Sequence, residues 1–198
     1  MIEEIRHRRP DALLSVDTTK VEVAAAALES GADMVNDVSA AAENGMLELV
    51  ADHGAGIALM HMRGEPRTMQ RNLHYANVVA EVHEYLRDRA HAATEAGIPA
   101  SRVWLDPGIG FGKDDAGNLA LLAALPDLSS IGYPVLVGPS NKAFIGRITD
   151  AEVDDRLPGT LAALIPIIGL PRVVVRVHDP GAARQFLEIA ARVLEKSA

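Results

Sequence analysis

Short apolar, β-branched runs alternate along this chain with longer stretches of helical periodicity. Residues 12–17, 33–38, 56–60, 102–106, 133–137 and 172–177 read as strands. Residues 20–30, 45–53, 76–96, 116–125, 156–169 and 180–196 carry helical patterns, several of them closing at a glycine, which ends helices readily. The order is βα repeated. Runs such as Val173-Val174-Val175 offer no polar face, as expected of strands covered on both sides by crossover helices, so the sheet is predicted to be parallel. No linker or low-complexity stretch interrupts the pattern, and residues 1–198 read as one domain.

Polar residues fall at one place in each unit. Asp17, Asn36, His61, Asp106, Ser140 with Lys142, and Arg176 with His178 stand at or just past the C-terminal end of a predicted strand. In a β/α barrel that edge carries the active site, because the βα loops converge around the strand ends. A doubly wound sheet also binds ligand at strand C-termini, but near a switch point and with fewer strands contributing. Six contributing strands point to an α/β fold of the (β/α)8 TIM-barrel type.

Composition narrows the partners. With 198 residues, 48% of them apolar, the chain can bury a substantial core. A net charge of −8 opposes a sequence-independent grip on nucleic acid, which needs a basic face, and favours a small-molecule ligand. Cysteine is absent, so no disulfide framework or thiolate metal site is available, and a reducing cytoplasm is compatible. No apolar run reaches the roughly 18 residues of a membrane span, and the first residues lack the apolar core of a signal peptide. A soluble protein is expected.

The strand ends suggest chemistry. Asp106-Pro-Gly-Ile-Gly-Phe-Gly-Lys113 puts a carboxylate before glycines that permit a tight backbone, yet completes neither a dinucleotide fingerprint nor a P-loop. Arg176 and His178 alternate onto one side of the chain and suit a phosphate or pyrophosphate, the arginine as a planar fork. Asp17, Asn36 and Asp106 supply acceptors and an amide suited to a flat heterocycle with amidine-like N–H groups. Each could instead cap the following helix, Asp17 before Thr18 above all. Met60-His61-Met62 is either the end of a core strand or a polarisable wall for an aromatic ring. Lys142 alone reads as a solvated loop cation, the charges of Glu3 to Arg9 as the exposed face of a helix, and the histidines at 7, 53, 74, 83 and 91 as surface residues.

Taken together and in order, these motifs resemble dihydropteroate synthase across essentially the whole chain. The resemblance is carried by Ser15-Val-Asp-Thr18, Val35-Asn-Asp-Val38, Met60-His-Met-Arg-Gly-Glu-Pro-Arg-Thr-Met69, Asp106 to Lys113, Leu136-Val-Gly138 with Lys142-Ala-Phe-Ile-Gly146, and Arg176-Val-His-Asp179. It implies that Asp17, Asn36, Asp106 and Lys142 hold a pterin, with Met60 and Met62 near its ring. Arg176 and His178 would hold pyrophosphate, and Phe111 and Ser140 would lie on the p-aminobenzoate side. The catalytic set would be Lys142, Arg176 and His178, joining a dihydropterin pyrophosphate to p-aminobenzoate with Mg2+ as cofactor, in a cytoplasmic homodimer. The family's opening strand, with Asn-Val-Thr-Pro-Asp-Ser-Phe and its metal-binding asparagine, and its Gly-Glu-Ser-Thr-Arg-Pro-Gly loop have no counterpart here. The chain is therefore expected to start ahead of the third barrel strand and to lack the first two βα units, leaving two strand edges open. Asn141 stands where the family usually has arginine, and Ala143 and Pro180 also depart from it. The alternative is a non-catalytic pterin- or partner-binding paralogue completed by oligomerisation.

Overall fold

A computed structural model describes residues 1–64, 69 and 73–196. Six strands, β1 (Ser15–Asp17), β2 (Met34–Asp37), β3 (Gly56–Met60), β4 (Val103–Asp106), β5 (Val135–Val137) and β6 (Val173–Val175), form one parallel sheet in sequential order. All six match predicted strands, trimmed at their ends, and the parallel pairing is as predicted. Helices α1 (Ile2–Arg8), α2 (Val21–Glu29), α3 (Met46–Asp52), α4 (Val78–Glu95), α5 (Asp115–Ala123), α6 (Leu125–Ser130), α7 (Ala143–Thr149), α8 (Leu157–Ala162) and α9 (Pro180–Glu195) connect and flank them.

The two sides of each strand have different work. Val35, Ile57, Leu59, Val103, Leu105, Val135 and Val137 face the helices and join a core with Val82, Leu86, Ala90 and Ala93 of α4. Each such aliphatic side chain taken from water contributes about 1.5–3 kcal/mol. The alternate residues face inward. Ser15, Met34, Gly56, Trp104, Leu136 and Val174, one from each strand, line a single cavity of about 500 Å3 at the N-terminal end of the sheet. Gly56 is required there, since a Cβ would stand 2.6 Å from the Trp104 indole. The sheet is curled as well as twisted: Arg176, just past β6, reaches Asp17 of β1 at 3.5 Å, although β1 and β6 are the opposite edges of the sheet. It is a partial barrel.

Helix caps account for several polar residues. Asn77 accepts from the Ala80 N–H, Asp114 from Gly117 and Asp179 from Ala182, which are side-chain caps of α4, α5 and α9. Pro180 sits in the first turn of α9, where its missing N–H costs nothing, so Asp179-Pro180 is a helix start. One helix prediction is corrected. Residues 156–169 do not form one helix but α8 and a 3-10 turn at Ile165–Ile167, because Pro166 cannot donate to the ladder. The helices α6 and α7 were not expected. His83 is partly buried on α4, and burial pulls its pKa down, so it is not the plain surface residue expected.

Candidate active site

Loops at the C-terminal ends of the strands bring the inward-facing polar residues together. Pairing of Asn36 with Ala58 and of Met60 with Asp106 sets two successive inner layers. Asn36 Oδ1 is buried with no hydrogen-bond partner, alone in this among the described residues. A buried amide oxygen without a partner is costly, and a ligand N–H would relieve that cost. Asn36 is thus not a cap. The turn after β2 is made instead by Asp37, fully buried, which accepts from the Ser39 N–H, the Ser39 hydroxyl and the Ala41 N–H. Ala40 and Ala41 both take positive φ there, and the Arg89 guanidinium of α4 holds their carbonyls at 2.7 and 2.9 Å.

Asp106 ends β4 with 8% of its surface exposed, and its Oδ1 accepts from the Gly108 N–H at 2.7 Å. Burial pushes its pKa up to about 6, against the opposing pull of the Gly108 N–H and the charges of Lys113, Lys142 and Arg176. The glycines that follow are dictated by packing. Gly108, Gly110 and Gly112 all have positive φ, a Cβ on Gly108 would collide with the His61 carbonyl oxygen, and one on Gly112 would lie 2.7 Å from the Arg63 carbonyl oxygen. The loop is thereby pressed onto the end of β3. Met60 is buried and Met62 half-buried in that neighbouring segment, and residues 65–68 of the Met60 to Met69 stretch lie outside the described residues.

On the other side of the loop, the Lys142 ammonium lies 4.0 Å from the centre of the Phe111 ring, a cation–π contact. Burial lowers the Lys142 pKa, Asp106 opposes that shift, and Arg176 adds to it. Lys142 is therefore not the solvated cation that spacing alone suggests. Gly138, Ser140, Asn141, Lys142, Arg176 and His178 line a cavity of about 520 Å3. Within it Ser140 Oγ is 2.7 Å from His178 Nδ1 and accepts from the His178 N–H at 3.2 Å, which fixes the imidazole. Asn141 takes φ of +56°, a conformation asparagine tolerates better than most residues. Its N–H meets the Thr160 hydroxyl and its carbonyl the Arg156 guanidinium, both at 3.1 Å.

Asp17 is more open, and its partner is Arg176; the local turn is made by Thr18, whose hydroxyl accepts from the Lys20 N–H at 3.0 Å. Of the predicted set, the structure brings together Lys142 with Phe111, Arg176 with Asp17, and Ser140 with His178, and the charges of Lys142 and Arg176 act on Asp106. Sequence reasoning passed over Asp37, Arg89 and Lys113, whose charges are invested in loop geometry. Lys113 is 1% exposed. Among the described residues no three His, Asp or Glu side chains converge as a metal site.

Residues 1–178 match the model of the family described as pterin binding enzyme. The chain is 43% identical over 182 residues to the dihydropteroate synthase of Synechocystis sp., covering 91% of this chain and 63% of that protein. It therefore spans somewhat less than two thirds of that relative's length. Dihydropteroate synthase of Thermus thermophilus in complex with 6HMPPP superposes with a TM-score of 0.89 at 39% identity, over 98% of this chain and 76% of that one. The same protein in complex with 4-aminobenzoate gives 0.90 at 39% identity, over 97% and 74%. By sequence and by fold, this chain belongs to the pterin binding enzyme family, within its dihydropteroate synthase branch.

Proposed function

We propose that this chain carries the pterin and pyrophosphate site of a dihydropteroate synthase, a transferase of folate biosynthesis acting as one pterin-binding domain. The observation that carries the reading is the juxtaposition of the unpartnered Asn36 amide oxygen and the buried Asp106 carboxylate with the cations Lys142 and Arg176 and with His178, all at one end of the sheet. Acceptors meet the N–H edge of the pterin, and donors meet the pyrophosphate. The Thermus relative's complexes with 6HMPPP and with 4-aminobenzoate support the same two partners here.

In this reading the C–O bond between the pterin methylene and the pyrophosphate breaks, and pyrophosphate leaves with the bonding pair. The aniline nitrogen of p-aminobenzoate forms the new C–N bond and releases a proton to solvent. Arg176 and His178 stabilise the leaving anion, Lys142 spans the pterin and the Phe111 ring, and Phe111 with Ser140 borders the p-aminobenzoate side. Electrostatic stabilisation and positioning supply the rate, with no strong general base required. Magnesium would accompany the pyrophosphate. The side chains described offer it no converging carboxylate set, so no step is assigned to it. A cytoplasmic homodimer completes the proposal.

The test is formation of dihydropteroate by the 198-residue chain from the dihydropterin pyrophosphate, p-aminobenzoate and Mg2+, beside a chain extended upstream. Product from either, abolished by Arg176→Ala, supports the reading. Absence of product from both, with neither binding the pterin substrate, overturns it.

A further inference from the structure

Lys113 is a buried cation to which the reaction above gives no part. Its Nζ lies 3.0 Å from His61 Nδ1, 3.0 Å from the His61 carbonyl oxygen, 3.0 Å from that of Gly108 and 2.9 Å from that of Phe111. Three of these partners can only accept. An ammonium has three N–H groups for four acceptors, so the bonds are shared and a neutral His61 presents an unprotonated Nδ1. The network continues to Asp106 by two routes. Gly108, whose carbonyl accepts from Lys113, donates its N–H to Asp106 Oδ1, and His61 donates its N–H to the Asp106 carbonyl at 2.9 Å.

We propose that Lys113 is the positioning residue of the pterin site: its buried ammonium, held by His61 and the loop after β4, keeps Asp106 a carboxylate and fixes Phe111 beneath Lys142. The consequence for binding rests on the functional reading above; the consequence for the state of Asp106 does not. Asp106 is faced by Lys113, Lys142 and Arg176. Burial pulls the Lys113 pKa down to about 7, against the opposing pull of Asp106 and with Arg63 and Lys142 adding to the shift, so Lys113 is an ammonium at pH 6. His61 is faced by Lys113, Arg63 and Glu81, with the Tyr75 and Tyr85 rings against it, and burial holds its pKa down at about 3, so it stays neutral and accepting. Removing Lys113 therefore takes one of three cations from Asp106 and leaves Lys142 and Arg176, with the neutral His61 adding no charge in its place.

Lys113→Met tests this by carboxyl-carbon NMR, with the Asp106 resonance assigned by Asp106→Asn. The expected result is a titration midpoint of Asp106 at least about one pH unit above the wild-type value; an unchanged or lower midpoint overturns the proposal. Calorimetry with 6-hydroxymethylpterin at pH 6 and pH 9 reads the same effect in binding. With wild type near half ionised at pH 6 and the variant near a tenth, the pH 9 to pH 6 affinity ratio rises about fivefold. A purely structural defect weakens binding by the same factor at both pH values. If wild type does not bind the pterin, the functional reading falls and the NMR titration still decides the inference. If Lys113→Met does not fold, imidazole nitrogen NMR of the wild-type chain decides it: His61 must be unprotonated at Nδ1 from pH 5 to 6, and a proton there would mean that Lys113 lacks its charge.

Discussion

Asp106→Asn separates the cost of the site from its use. The substitution keeps the shape and leaves an oxygen to accept from Gly108, but removes the buried charge. A rise of the pKa from 3.8 to about 6 makes the ionised folded state unfavourable by about 3 kcal/mol relative to the unfolded chain. The sign follows from the direction of the shift. Protonation of Asp106 contributes stability that is complete below pH 3.8 and is lost as the pH rises through about 6. The variant should therefore be more stable than wild type by up to about 3 kcal/mol at pH 8, with the difference shrinking toward zero near pH 4. Urea unfolding followed by Trp104 fluorescence at both pH values measures it. Pterin binding should meanwhile weaken by about 1.5–3 kcal/mol, the worth of a charge-assisted hydrogen bond, both with and without pyrophosphate on the ligand. A variant no more stable at pH 8 than at pH 4, relative to wild type, would mean that the Asp106 charge is not a burden on the folded state.

Two further outcomes follow from the same geometry. Arg176→Ala should weaken a pyrophosphate-bearing pterin by about 1.5–3 kcal/mol more than free pterin, since its fork belongs to the anion; equal losses in parallel calorimetric titrations would contradict that role. Gly108→Ala should lower stability by more than about 2 kcal/mol in denaturant unfolding, because its positive φ and the His61 carbonyl both exclude a Cβ, and an unchanged midpoint would show that the loop is not pressed onto β3.

The strands were legible because Gly56–Met60 and Val103–Asp106 are short apolar runs whose ends are marked by polar residues, and the parallel order followed from the helical stretches between them. The described strands form a six-stranded partial barrel, and the chain spans only part of the length of the relatives it matches. Helix α7 was not legible, since Ala143–Thr149 mixes a glycine with β-branched residues and presents no clear helical stripe. The start of α8 was signalled by Pro158 and the break after it by Pro166, and both could have been read from the sequence. Among candidate site residues, Asn36, Asp106 and Arg176 were singled out by their position at strand ends. The burial of Lys113 could not be, because it depends on His61, more than fifty residues away, arriving on the neighbouring strand. Asp37 was masked by Asn36 beside it, and period-two alternation fixes which of the two faces inward only once the curl of the sheet is known.

The assignment of the site meets its sharpest test in a calorimetric titration of the wild-type 198-residue chain with 6-hydroxymethyl-7,8-dihydropterin pyrophosphate, beside the same pterin without pyrophosphate. One site per chain, with the pyrophosphate-bearing ligand clearly the tighter, is the predicted result. Failure of both ligands to bind, or equal affinity for the two, would contradict a joined pterin and pyrophosphate site at this end of the sheet.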